Sequence, residues 1–245
     1  MECRVAFLGG GPFGTPIREA LQKAFGLVAP EQADLWVVAS YGKILKPEEF
    51  SRPRFGTIVV HPSLLPAYRG ASPIQSAILN GDTKTGVALI KMDKQVDHGP
   101  MIAMQELPIA PSDRYAILVA KLAELAAKLV VKTLPRYLAG EISPVEQDHA
   151  KATFTKKLER DDGLLDPAKP AQQLERQIRA YWPWPGSFVW LVDQAGARKR
   201  LIIHQAHIDN NRLVLDLVQL EGKKPTNWTE FTRGWRGSSP FSTNT

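Results

Sequence analysis

The sequence predicts an α/β domain followed by a small β module. Two observations carry the first half of that prediction: short, continuous apolar runs at residues 4–8, 35–39 and 56–60, and helix-like spacing in the stretches between them. Runs this short and apolar at nearly every position mark strands buried on both faces of a sheet. The intervening helices supply the covering layers. The third observation carries the second half: beyond residue 150 the pattern turns to alternation, notably at Leu201-Ile202-Ile203 and across 213–218, as in a half-buried antiparallel sheet.

Taken in order, the 4–8 strand ends in Gly9-Gly10-Gly11, and Ile17, Ala20, Leu21 and Phe25 then recur with helical spacing. Gly9, Gly11 and Gly14 fit a G-x-G-x-x-G pattern, but a dinucleotide site also needs an acidic residue closing the next strand, and Asp34 precedes that strand. The glycines are therefore read as a turn that lets helix and sheet approach closely. The 35–39 strand leads into Ser40-Tyr41-Gly42, and the 56–60 strand into His61-Pro62. A helix over 73–79 carries proline in its first turn, and strands over 85–92 and 101–107 flank a loop containing Asp97. Ser112 is a plausible cap for a long helix with Ile117, Leu118, Lys121, Leu122, Leu125 and Leu129 on or beside one face, stopping near Gly140. A short helix over 171–180 opens the alternating region. These readings divide the chain into a domain at 1–140, a linker at 141–150 and a β domain at 151–245.

Composition narrows the function classes. An apolar content of 44% with 23% charged residues is that of a globular protein, the single Cys3 cannot form an internal disulfide, and no run approaches the roughly 18 apolar residues of a membrane span. The opening residues read as a buried strand and not as a secretory signal, so a cytoplasmic protein without membrane attachment is expected. The net charge of +6 is uneven: residues 1–150 hold 16 Lys and Arg against 15 Asp and Glu, residues 151–245 hold 15 against 10. A basic second domain fits contact with a phosphate backbone, and equally a lysine-rich soluble surface.

His61 stands at the carboxyl end of a predicted strand, where ligands bind in open α/β sheets. It is followed by Tyr68-Arg69-Gly70, Gly81-Asp82, Thr85-Gly86-Val87 and Asp97-His98-Gly99-Pro100. This ordered series resembles the folate-dependent formyltransferases, whose pattern HPSLLP-x-YRG-A-x-PIQ-x-AIL-x-GD-x-x-TGV and later D-x-GP is matched from His61 to Pro100. Ala152-Thr153-Phe154-Thr155-Lys156-Lys157 and the stretch Ile178-Arg179-Ala180-Tyr181-Trp182-Pro183-Trp184-Pro185-Gly186 resemble the tRNA-directed branch, the methionyl-tRNA formyltransferases. The resemblance thus spans nearly the whole chain.

It implies a formyltransferase-type, Rossmann-like parallel or mixed sheet followed by a small OB-like β-barrel. The implied reaction moves a formyl group from 10-formyltetrahydrofolate to the amino group of initiator methionyl-tRNA, with no metal, in a monomer. By the resemblance His61 would donate to the developing oxyanion and Asp97 would manage the histidine's protonation. A turn role before Gly99 is the alternative for Asp97. Ser63, Leu64, Leu65 and Pro66 would line the folate site with Tyr41 and Gly42 nearby, and Lys156, Lys157 and Arg179 would meet the tRNA backbone.

The chain departs from the pattern in two ways. The family places an asparagine two residues before the histidine, and this chain has Val59. Between Phe25 and the 33–39 strand it also lacks roughly a strand, a helix and a basic loop, and it looks shortened between Leu201 and Leu213. Two other readings follow: formylation of an amino-sugar nucleotide, which shares the His61-to-Asp97 pattern, and a folate- or RNA-binding protein that has lost turnover.

Overall fold

The computed structural model describes residues 3–239 and 241; residues 1, 2, 240 and 242–245, at the ends of the two expected domains, lie outside the described residues. In chain order the elements are β1 (Val5–Gly9), α1 (Gly11–Phe25), β2 (Leu35–Ala39), α2 (Pro47–Phe50), β3 (Thr57–His61), β4 (Arg69–Gly70), α3 (Pro73–Asn80), β5 (Lys84–Lys91), β6 (Met101–Pro108) and α4 (Tyr115–Leu138). They continue with β7 (Phe154–Thr155), α5 (Ala171–Tyr181), β8 (Ser187–Asp193), β9 (Arg198–Asp209), β10 (Arg212–Leu220), β11 (Thr226–Asn227), α6 (Trp228–Gly234) and β12 (Gly237–Ser238).

The first sheet has the order β1-β2-β3-β5-β6. Its first three strands are mutually parallel, so the carboxyl ends of β1, β2 and β3 lie side by side on one edge. β5 and β6 run antiparallel to their neighbours, which makes the sheet mixed. The apolar runs form strands because both faces are covered: all five residues of β2 are buried, as are the six central residues of β5. On α4 the buried stripe comprises Leu118, Val119, Leu122, Ala123, Ala126, Leu129 and Val130. Ile117 lies one position off it and is 47% exposed, on the same face as Lys121, Glu124 and Lys128. The sequence reading placed it on or beside the apolar face; one residue is about 100° of helix rotation, enough to carry it into solvent.

Two compact units emerge: one contains residues through 77, 82–111 and 117–157, the other 78–81, 112–116 and 158 onward. The boundary differs from the linker expected at 141–150, because that stretch is bound into the first unit. Val145 bridges Met101, and β7 pairs in parallel with β4 through Arg69 with Phe154 and Gly70 with Thr155. The second unit is built on an antiparallel sheet of order β11-β10-β9-β8-β12. Leu174 and Ile178 of α5 pack with Val189, Leu191, Leu201, Ile203, Leu215 and Val218 of that sheet.

The glycine turn is a close approach of backbones. A Cβ on Gly9, at φ +144°, would fall 1.8 Å from the Ala39 carbonyl oxygen, and one on Gly14 would fall 2.9 Å from the same atom. Gly9→Ala is therefore expected to cost about 2 kcal/mol, lowering Tm by roughly 4–8 °C in a thermal melt. An unchanged Tm would mean that β1 and β2 separate there without penalty.

Candidate active site

The sheet places His61 as the last residue of β3, at the carboxyl edge shared with β1 and β2, and packing leaves it 5% exposed. Its Nε2 lies 3.0 Å from the Tyr68 carbonyl oxygen. A carbonyl only accepts, so Nε2 carries a proton and Nδ1 is the ring atom left to face Asp97. The Asp97 Oδ2 atom is 3.4 Å from Nδ1 and accepts the Gly70 backbone N–H at 2.8 Å. Asp97 thus presents an acceptor to that nitrogen, and a proton on Nδ1 would make the contact attractive. At 3.4 Å the contact is longer than a hydrogen bond, as catalytic pairs often are before the reacting groups arrive.

Asp97 itself has φ 49°, the left-handed region that side chains other than glycine seldom adopt. Its loop is fastened from a segment that sequence reasoning passed over. The Gln147 Nε2 atom donates to the Asp97 carbonyl at 3.0 Å and to the Gly99 carbonyl at 2.7 Å. Arg69, 3% exposed, donates from Nη2 to Gln147 Oε1 and to His149 Nδ1, each at 2.8 Å. His149 stacks on His98 with ring centres 3.9 Å apart, and His98 bonds Asp93 at 2.6 Å. A lone Gln in a polar stretch carries no spacing signal, and the only hint available was the Tyr68-Arg69-Gly70 motif it holds.

The expected folate-lining residues divide into two kinds. Ser63 is fully buried and spends its hydroxyl on the Ala67 carbonyl at 2.7 Å, and Leu65 packs with Ala88 and Ile90. Those two side chains face inward, so only their backbone is offered to a ligand. Leu64 and Pro66 are partly exposed, and Tyr41 and Gly42 follow β2 on the same sheet edge as His61. Val59 shares the His61 face of β3 and packs against the Leu65, Ala88 and Ile90 cluster, so no side-chain donor stands at that position. Among the described residues, no group of three His, Cys, Asp or Glu side chains gathers to hold a metal ion, and no helix is long and apolar enough to cross a membrane.

The expected nucleic-acid contacts also divide. Lys156 and Lys157 are exposed. The Arg179 side chain is 13% exposed, with Nε on Glu175 at 2.6 Å and Nη1 on the Asp113 carbonyl at 2.7 Å, so part of its donor set is spent within the fold. A basic aromatic row that the sequence did not reveal lies on the second sheet, where Arg198 stands over Trp190 at 4.7 Å and Arg200 over Phe188 at 3.9 Å. Burial holds the Arg200 guanidinium below its ordinary range, and the nearby charge of Arg160 adds to this.

Residues 13–134 match the formyl transferase family and residues 157–213 the formyl transferase C-terminal domain. A methionyl-tRNA formyltransferase of Roseiflexus castenholzii is 36% identical over 270 aligned positions, covering 95% of this chain and 85% of the relative. One of Myxococcus xanthus is 39% identical over 234 positions, covering 85% and 73%. Among solved structures, methionyl-tRNA formyltransferase from Clostridium thermocellum superposes with a TM-score of 0.67 at 18% identity, covering 90% of this chain and 99% of that one. HypX from Aquifex aeolicus in complex with tetrahydrofolic acid gives a TM-score of 0.71 at 16% identity, covering 97% of this chain and 49% of that one. At these identities the structures show a shared fold, whereas the sequence relatives and the two domain matches show descent: this chain belongs to the formyl transferase family, alongside the methionyl-tRNA formyltransferases.

Proposed function

We propose that the protein transfers a formyl group from 10-formyltetrahydrofolate to the amino group of initiator methionyl-tRNA. The observation that carries this reading is the buried His61 facing the partly buried Asp97 at the carboxyl end of β3, within a chain whose near relatives bear that enzyme's name. The folate substrate supplies the formyl carbon on N10. The amine attacks that carbon, the carbonyl oxygen gains negative charge, and the C–N10 bond then breaks as N10 takes up a proton. His61 would donate to that oxygen once Nε2–H leaves the Tyr68 carbonyl, and Asp97 would take or return the proton that the amine loses. Leu64, Pro66, Tyr41 and Gly42, with the backbone of Ser63 and Leu65, hold the folate. The protein acts as a monomer in the cytoplasm, where charged initiator tRNA is made.

Formylation of charged initiator tRNA by the purified protein tests the reading; transfer to an amino-sugar nucleotide and not to tRNA would replace it. Lys156 and Lys157 are proposed to meet tRNA phosphates. Replacing both by alanine is expected to reduce the slope of log affinity against log salt by about 2, while folate affinity is unchanged. An unaltered slope would remove both lysines from the interface.

A further inference from the structure

We propose that Gln147 is a positioning residue for this reaction, a role that rests on the formyl-transfer reading of the site: its side-chain amide holds the Asp97 loop where the carboxylate meets His61. Asp97 occupies the left-handed backbone region, which costs free energy in a residue other than glycine, and contacts from its surroundings help to hold it there. Gln147 supplies such contacts. Its amide spends Nε2 on the carbonyls of Asp97 and Gly99, on both sides of His98. Its Oε1 accepts from Arg69, and the next residue, Gly70, gives its N–H to the Asp97 carboxylate. The loop is therefore tied to β4 twice, once through the carboxylate and once through Gln147.

The chemistry selects an amide. One buried group, 7% exposed, must offer two donors to carbonyls and one acceptor to a guanidinium, a combination found only in Asn and Gln. Gln147→Glu keeps the length and the acceptor, exchanging the Arg69 hydrogen bond for an ion pair, but it turns a carboxylate oxygen toward two carbonyls. Gln147→Met keeps the length and removes every bond. The first variant retains its anchor and so separates positioning from folding.

Both variants are to be assayed as the full chain on methionyl-tRNA. The expected result for Gln147→Glu is a fall in kcat of roughly 10–100-fold, the effect of displacing a catalytic group by about 1 Å, with KM for the folate within about twofold. Added to Asp97→Asn, it should cost nothing more, because the group it positions is already gone. The third readout needs no substrate: in NMR spectra of the free protein, the His61 ring signals should move in Gln147→Glu toward their positions in Asp97→Asn. A wild-type kcat, an additive loss in the Asp97→Asn background, or unmoved His61 signals would each overturn the proposal. If Gln147→Met fails to fold, Gln147→Glu decides alone. If the wild type formylates no tRNA, the functional reading falls, and the His61 signals still decide whether Gln147 positions Asp97.

Discussion

Asp97→Asn is expected to lower kcat by about 10²–10⁴-fold, the range for losing a positioned proton-transfer group, while the fold persists. The new side chain still presents an oxygen to the Gly70 N–H that holds the carboxylate at 2.8 Å, so the loop keeps its anchor. What disappears is the capacity to accept a proton next to His61 Nδ1, since the oxygen that faces both that nitrogen and the Gly70 N–H becomes an amide oxygen, which does not take up a proton as a carboxylate does. His61→Asn should cause a loss of the same order, and the double variant should be little worse than either alone, if the two groups act as a unit. Single-turnover formylation rates with saturating folate measure this, together with a thermal melt to show that folding is intact. Losses that multiply in the double variant would mean that the residues act independently.

The second large effect runs in the opposite direction. Val59→Asn is expected to raise kcat by roughly tenfold or more, because an amide N–H on the His61 face of β3 adds a donor for the formyl oxygen as it gains charge. The gain should fall on kcat and leave folate binding nearly unchanged, since the added bond strengthens chiefly in the transition state. The packing adds a cost that the sequence could not show. Val59 is partly buried against the apolar cluster of Leu65, Ala88 and Ile90, so an amide there gives up part of that packing and should destabilise the protein by about 1 kcal/mol. A faster enzyme with a lower Tm is the expected result. An unchanged rate would show that another group already supplies the donor.

The contrast between these positions reflects what a linear pattern can encode. β1, β2 and β3 were legible because burial on both faces demands unbroken apolar runs, and His61 was legible because it ends one of them. The β4 and β7 pairing left no pattern: each partner is two residues long, and Tyr68 and Thr153 beside them are 85 positions apart. Ser63 was read as a lining residue from its motif, but its hydroxyl closes a turn on Ala67. Arg179 offers a positive charge in the sequence, but the sequence does not show that Glu175 and the Asp113 carbonyl take up two of its donors. Residue identity gives the chemistry on offer, and only the fold shows where it has been spent.

The pairing of β4 with β7 also sets a timetable for the growing chain. All five strands of the first sheet are complete once residue 108 has been made, and α4 by residue 138. The ties that fix the aspartate loop come later, from Gln147 and from the strand at Phe154–Thr155. A chain cut after residue 140 is expected to hold a nearly finished sheet with an aspartate loop tied through the Gly70 N–H but not through Gln147, and one cut after residue 157 to hold both in place. Contacts that must close across so long a stretch form slowly, so the catalytic loop should acquire protection from hydrogen exchange after the strands beneath it.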